Sequence, residues 1–240
     1  MSGRTIRDAS RNASGRTEAR VIAPGGNEGT VAANPITSLH PEWRAAWGGT
    51  IGSATLRAEM EANPRLHERM LGAIAKRHGR AVTRQPRLDK LATGVVAALR
   101  EDRQGFVRLC GLARIGRRVA LATNPADYEA LAQVFGRGAL AAAARIAAEL
   151  PHDDGGHGYD SEQLAPAADR MGMAVVEEWA TTLPDPAADW IAMHLPRAEG
   201  GDAAPMGTAR ARTIVEGVVS AWPGVHGAAE TRSHRRRRAA

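Results

Sequence analysis

The chain has 240 residues, of which 43% are hydrophobic and 24% charged, a composition typical of a soluble protein with one domain or two small lobes. Its single cysteine, Cys110, excludes an intramolecular disulfide and a zinc site built from cysteines alone. No apolar run approaches the roughly 20 residues of a membrane helix, and the start lacks the apolar stretch of a signal peptide. These features predict a cytoplasmic protein.

The net charge of +6 is unevenly distributed along the sequence. Residues 42–149 hold 18 basic and 10 acidic side chains, whereas residues 150–229 hold 4 basic and 12 acidic ones. The excess of arginine lies near the two ends, so the body is neutral as a whole. Such a division suits two lobes that attract each other, or two faces that bind different partners. A neutral body is a poor match for long duplex DNA, whose binding depends on counterion release.

The first 37 residues are rich in Ser, Gly, Asn and Arg and show no hydrophobic periodicity, which predicts a disordered N-terminal extension over residues 1–37. A basic helical lobe is predicted for residues 38–150. Its first helix is indicated by Leu39, Trp43 and Trp47, which repeat every four residues and so share one helical face.

Capping residues, glycines and prolines predict the boundaries of the other helices. Helices are expected to start at Ser53, Asn63-Pro64, Pro86, Asn124-Pro125, Asp185-Pro186 and Thr208. Helix ends are expected at Gly79, before Gly105, and at Gly136, Pro196 and Pro223-Gly224.

The polar, glycine-rich segment 151–160 lies where the charge changes sign, and we interpret it as a linker. An acidic helical lobe is predicted for residues 161–228 and a basic tail for residues 229–240. No stretch alternates with period two over more than a few residues, and β-branched residues are sparse. The predicted fold class is therefore all-α, with about eight helices in one irregular bundle or two lobes, and with disordered termini.

The linker also contains the cluster that most resembles a metal site. Its ligand-capable residues are His152, Asp153, Asp154, His157 and Asp160. Their spacing fits neither a calcium loop nor HExxH, and three glycines do not hold ligands rigidly, so a solvated linker is favoured over a metal-dependent enzyme. The GGTIGS stretch at 48–53 lacks the GK[ST] ending of a phosphate loop, and no GxSxG is present. We predict a protein that is not an enzyme, with no catalytic residue, no metal and no cofactor.

Basic and aromatic residues remain as candidates for binding. The densest internal basic stretch, 76–90, is either a solvated face or a contact for phosphates, for an acidic partner or for the acidic half of the chain. Because other aromatic residues are few, one or two partly exposed tryptophans are candidate anchors for a protein interface. The predicted partner-binding residues are Trp43, Trp47, Arg80, Arg84, Arg87, Arg117 and Arg118.

Three stretches resemble the SctK family (the YscK/PscK/OrgA/MxiK group) of bacterial type III secretion systems. Residues 39–43, LHPEW, look like an HPxW element near the start of that family's folded region. Residues 99–150 include GLARIGRRVALATNPADYEALAQVFGRGAL at 111–140, which is similar to a pair of helices in the family. WIAMHLP at 190–196 looks like a late L.LP element. The Arg-rich N-terminal extension and the RRRR tail are not part of the pattern.

The resemblance implies a mainly helical, non-enzymatic adaptor in the cytosolic sorting platform of the secretion system. It would link the cytosolic domain of the inner-membrane ring protein (SctD-like) to pods of SctQ-like and SctL-like proteins and to the SctN ATPase. The location implied is cytoplasmic, peripheral to the inner membrane through protein partners and without membrane insertion. The alternative function is a helical nucleic-acid-binding protein that uses the 76–90 basic face and the Arg-rich tail, with an affinity that falls steeply with salt.

Overall fold

Helices make up the framework of the chain, as the sequence predicts. A computed structural model describes residues 34–49, 51–120, 125–150, 161–197 and 204–238. In these ranges it contains no strand, and its helices are α1 (Pro41–Gly48), α2 (Ala54–Ala62), α3 (His67–Arg77), α4 (Lys90–Ala120), α5 (Pro125–Phe135), α6 (Arg137–Ala148), α7 (Ser161–Ala180), α8 (Asp185–Ala192) and α9 (Thr208–Arg238). A short 3-10 turn, Pro64–Leu66, precedes α3. The all-α class is confirmed.

Several helix boundaries lie where the local signals predict them. The Ser53 hydroxyl accepts a hydrogen bond from the backbone of the first turn of α2 at 3.3 Å. The Asn63 side chain caps the 3-10 turn in the same way, at 3.1 Å. Gly79 and Gly136 follow α3 and α5 with φ of +66° and +82°, a backbone conformation that glycine adopts without steric cost.

Other predicted boundaries are wrong. Pro86 does not open a helix, and α4 begins only at Lys90. The residue before it, Asp89, caps the helix, because its carboxylate accepts a hydrogen bond from the Ala92 N–H at 2.7 Å. Pro223 lies inside α9, which continues to Arg238. Proline removes one backbone hydrogen bond and bends a helix without always ending it. The predicted extension ends too late, because Ile36 is fully buried in the core; residues 1–33 lie outside the described ranges.

Helix α4 is broken near the position at which the sequence predicts a helix end, before Gly105. Asp102 has extended dihedrals (φ −148°, ψ 92°), so α4 consists of two helical segments joined at a kink. The Asp102 Oδ1 accepts a hydrogen bond from the Gly105 N–H at 2.9 Å and caps the second segment. A Cβ atom at Gly105 would overlap the Asp102 carboxylate, which explains the glycine at that position.

We expect Asp102→Ala to lower the free energy of unfolding by about 1 kcal/mol, because the Gly105 N–H at the start of the second segment loses its capping acceptor. Urea unfolding followed by circular dichroism measures the change. Asp102→Asn is the matched control, since asparagine caps about as well as aspartate. Equal losses in the two variants would contradict the capping role.

The kinked helix α4 lies at the centre of the bundle and packs against α6, α7 and α9. Gly111 of α4 and Gly172 of α7 allow the closest of these approaches. A Cβ at Gly111 would overlap the Ala168 carbonyl, and a Cβ at Gly172 would overlap the Val107 carbonyl. The two backbones therefore touch where they cross, and only glycine fits at either position.

Helices on both sides of the predicted linker contribute to one hydrophobic core. Phe106 of α4 packs edge-on against Trp222 of α9, with ring centroids 5.5 Å apart. Trp179 and Trp190 are both buried to 1% or less exposure, so these tryptophans are core residues. The described residues from 34 onward form one compact unit.

Among the residues that the structure describes, ion pairs join the basic part of the sequence to the acidic part. The Arg108 guanidinium donates to both oxygens of Asp169, at 2.8 and 2.7 Å, in a bidentate pair. Arg80 pairs with Asp189 at 2.9 Å. Both pairs are partly exposed, so each stabilises the fold by no more than about 1 kcal/mol. Their main effect is to orient the segments that carry them.

Candidate functional site

A pocket of about 410 Å³ opens beside Trp43, where α1, the C-terminal end of α3, α7 and the segment after α8 meet. We call it the Trp43 pocket. Its lining residues are Trp43, Arg77, His78, Arg80, Glu177, Ala192, Pro196 and Arg197. The volume lies in the range of small-ligand pockets, roughly 300–1,000 Å³.

Long-range hydrogen bonds fix Trp43 in the wall of this pocket. The indole Nε1–H donates to the Leu195 carbonyl at 2.8 Å, across 152 residues of sequence. The His40 N–H donates to the Met193 carbonyl at 2.9 Å. Trp43 is only 4% exposed. The start of α1 is therefore held against the segment that follows α8.

Two guanidinium groups and one imidazole ring lie next to the indole of Trp43. The Arg80 and Arg197 guanidinium carbons lie 5.6 and 5.9 Å from the ring centroid, within the range of cation–π attraction. The His78 imidazole packs edge-on against the indole, with centroids 4.7 Å apart. The aromatic ring thus holds positive charge at the rim of the pocket.

The arginines of the pocket differ in how their charge is balanced. Arg80 is paired with Asp189, whose second oxygen accepts a hydrogen bond from the Ala81 N–H at 2.7 Å. Within the described ranges, neither Arg77 nor Arg197 forms an ion pair through its side chain. Among the described residues, these two guanidinium groups of the wall have no carboxylate partner.

Two titratable groups in the wall are shifted toward their neutral forms. Burial lowers the pKa of His78, and the nearby Arg197, Arg77 and Arg80 lower it further. Burial raises the pKa of Glu177, and Arg80 opposes that shift. Both shifts favour a pocket whose charge comes from its arginines.

The structure brings some of the predicted binding residues together and separates others. Trp43 and Arg80 share the pocket, whereas Trp47 is half-buried against the core. Arg84 and Arg87 are exposed on the segment between α3 and α4. The predicted residues Arg117 and Arg118 have side chains outside the described part of the structure.

Sequence reasoning missed Glu177 and Arg197 as neighbours of Trp43. Arg197 directly follows the WIAMHLP element, so a weak signal for it exists in the sequence. Glu177 reads as one of two exposed acidic residues on α7, and no local pattern places it beside α1. Contacts across more than 100 residues decide both positions.

A second cavity, of about 690 Å³, lies at the kink of α4. Residues of both charges line it, among them Arg100, Arg103 and Asp169. The Arg103 Nε–H donates to the His194 carbonyl at 2.5 Å, which engages that guanidinium within the fold. Mixed charge and internal hydrogen bonds make this cavity a weaker ligand site than the Trp43 pocket.

The single cysteine of the chain lies in the core of the bundle. Cys110 is fully buried, and burial raises the pKa of its thiol, which disfavours the reactive thiolate. In the ranges that the structure covers, no group of three or more His, Cys, Asp or Glu side chains is placed to hold a metal ion. The ligand-capable residues of segment 152–160 lie outside those ranges.

None of the helices in the described ranges combines the length and apolar character that a membrane crossing requires. Comparison with protein-family models, with curated proteins and with solved structures finds no match to the chain.

Proposed function

We propose that the chain is a non-enzymatic adaptor of a bacterial type III secretion system, which links the inner-membrane ring to the sorting platform and its ATPase. One observation carries the proposal. The two short elements that resemble the ends of the SctK-family pattern, residues 39–43 and 190–196, are far apart in sequence and meet at the Trp43 pocket. Two backbone carbonyls of the second element accept hydrogen bonds from the first.

The third element supports the proposal through the framework of the fold. Residues 111–140 include Gly111, which lies at the α4–α7 crossing, and Gly136, which separates α5 from α6. Close packing of two backbones explains Gly111, and a left-handed turn explains Gly136. The three elements thus serve two purposes: one builds the bundle, and two build the pocket on its surface.

A recognition role also suits the chemistry of the pocket. Its wall carries exposed guanidinium groups, and arginine is enriched at protein interfaces, while the buried Trp43 ring holds two of these groups in place. The nucleic-acid alternative depends on the 76–90 face, in which Arg80 is already paired with Asp189. It also depends on an arginine tail whose side chains lie outside the described part of the chain. The protein-binding proposal is therefore the better supported of the two.

Affinity purification of the tagged chain from its own cells, with nuclease treatment and mass spectrometry, tests this function. We expect recovery of an ATPase, its stator-like partner and an inner-membrane ring protein, in amounts that nuclease does not change. Cells that express the tag alone are the control. Recovery of nucleic-acid-associated proteins that vanish on nuclease treatment would overturn the proposal and favour the basic-face alternative.

A further inference from the structure

We propose that the Trp43 pocket binds a carboxylate of an acidic peptide segment in a partner protein. The inference rests on the proposed adaptor function for the identity of that partner. It concerns the same pocket and names the chemistry that the pocket recognises. The proposed occupant is a planar, singly charged anion, and three features of the pocket wall support this assignment.

The first feature is a pair of guanidinium groups without an internal partner. Among the described residues, Arg77 and Arg197 make no side-chain ion pair, although both line the pocket. Arg197 is held over the Trp43 ring at 5.9 Å. A guanidinium presents several N–H donors in a planar fork that matches the two oxygens of a carboxylate. The pocket therefore offers one guanidinium that the Trp43 ring orients and a second, exposed one from Arg77.

The second feature is an imidazole nitrogen without a hydrogen bond. His78 Nε2 is buried and has no partner within the described part of the chain. The ring lines the pocket and is fixed against Trp43 by its edge-on packing. A buried polar atom without a partner is costly. The nitrogen is closed to water in this structure, so an acceptor of a ligand reaches it only when the His78 ring shifts toward the pocket.

The third feature separates a carboxylate ligand from a phosphate or a nucleobase. Glu177 stands in the wall, and its carboxyl repels a phosphate dianion more strongly than a single carboxylate. Single-stranded nucleic acids bind by stacking bases on exposed aromatic rings. Trp43 is only 4% exposed and has no free face for stacking.

Fluorescence anisotropy of a labelled peptide tests the inference with the full chain. The probe is an octapeptide of alternating Glu and Gly, and its counterpart has Gln in place of each Glu. We expect the Glu peptide to bind at least ten-fold more tightly. Arg77→Gln and Arg197→Gln should each weaken it about ten-fold, because each removes a charge-assisted hydrogen bond. Glu177→Gln should strengthen it, since the carboxylate of the wall is lost.

Arg69→Gln is the matched control, because Arg69 is exposed on α3, does not line the pocket and changes the net charge equally. It should leave the affinity within about two-fold of the unsubstituted chain. Circular dichroism checks that each variant is folded. Equal affinity for the two peptides, or equal loss in Arg69→Gln and Arg197→Gln, would overturn the inference. So would tighter binding of a phosphorylated peptide or an oligonucleotide that competes at the same pocket.

The affinity purification, repeated with Arg77→Gln/Arg197→Gln, separates this inference from the function on which it rests. If the unsubstituted chain recovers the secretion proteins and the double variant recovers them equally, the function stands and the pocket inference fails. If the peptide binding follows the pocket charges but no secretion protein is recovered, the carboxylate site stands and the adaptor function fails. Loss of the same partners in the double variant alone would support both.

Discussion

Gly172→Ala is expected to lower the free energy of unfolding by about 3 kcal/mol, the upper end of the usual cost of overpacking. The added methyl group would overlap the Val107 carbonyl, which belongs to the backbone of α4 and cannot rotate away. The substitution must therefore push α4 and α7 apart, and it would loosen the core between them. Urea unfolding of the purified variant, followed by far-ultraviolet circular dichroism, measures the loss.

Gly138→Ala is the matched control for this prediction. Gly138 lies in the first turn of α6, and beyond its own helical turn no atom lies within 4 Å of the position that a Cβ would take. Alanine should stabilise the chain there by about 0.5–1 kcal/mol, because glycine loses more conformational freedom in a helix. The same chemical change thus has opposite signs at two sites. A loss below 1 kcal/mol for Gly172→Ala would contradict the close approach of the two backbones.

Acidification is expected to destabilise the fold through His194. This residue is fully buried, and burial lowers its pKa to about 4; the hydrogen bond with the Trp190 carbonyl opposes the shift, and Arg100 and Arg103 add to it. Its Nδ1 lies 2.8 Å from the Trp190 carbonyl, while Nε2 has no partner in the described part of the chain. The fold therefore holds the neutral imidazole.

The sign follows from proton binding in the two states. The unfolded chain takes up a proton as the pH falls through about 6.5, whereas the folded chain does so only near pH 4. The stability contribution is present above about pH 6.5 and is lost progressively between that value and pH 4. A difference of this size amounts to about 3 kcal/mol.

Urea unfolding at about pH 7.5 and about pH 4 measures this loss. His40 and His78 also have lowered pKa values and act in the same direction, whereas the raised pKa of Glu177 acts in the opposite one. The readout is therefore the difference between the unsubstituted chain and His194→Gln, which cannot titrate. We expect the pH dependence to shrink by about 3 kcal/mol in that variant. An unchanged pH dependence would show that His194 does not titrate as its burial implies.

The buried His194 and the Trp43 pocket are connected through the backbone. His194 belongs to the WIAMHLP element, and its neighbours Met193 and Leu195 accept the hydrogen bonds from His40 and Trp43. Charging the buried imidazole would therefore disturb the segment that forms one wall of the pocket.

Much of the secondary structure was predictable, because caps and helix ends depend on contacts within a few residues. The side chains of Ser53 and Asn63 cap helix starts as predicted. Gly79 and Gly136 adopt the positive φ that a residue without a side chain favours at a helix end. Pro86 misled because a proline is compatible with a helix start but does not require one. The Asp89 carboxylate, three residues further on, supplied the stronger cap.

The candidate site was predictable only in part. Trp43 and Arg80 stood out as an aromatic residue in an aromatic-poor chain and a member of a basic run. Arg84 and Arg87 belong to the same run, yet they lie outside the pocket, because a charge pattern does not show which side chain turns toward the body. The Asp189 carboxylate orients Arg80, and it comes from a helix more than 100 residues away.

By itself, the sequence determined the helical class, the positions of most caps, the apolar faces and the division of charge, since each depends on residue type and short-range spacing. Only the tertiary structure decided which segments meet. It placed the HPEW and WIAMHLP stretches together, made Gly111 and Gly172 packing residues, and added Glu177 and Arg197 to the wall beside Trp43. These contacts depend on how the helices cross, and helix crossing is a property of the whole packed core rather than of any local pattern.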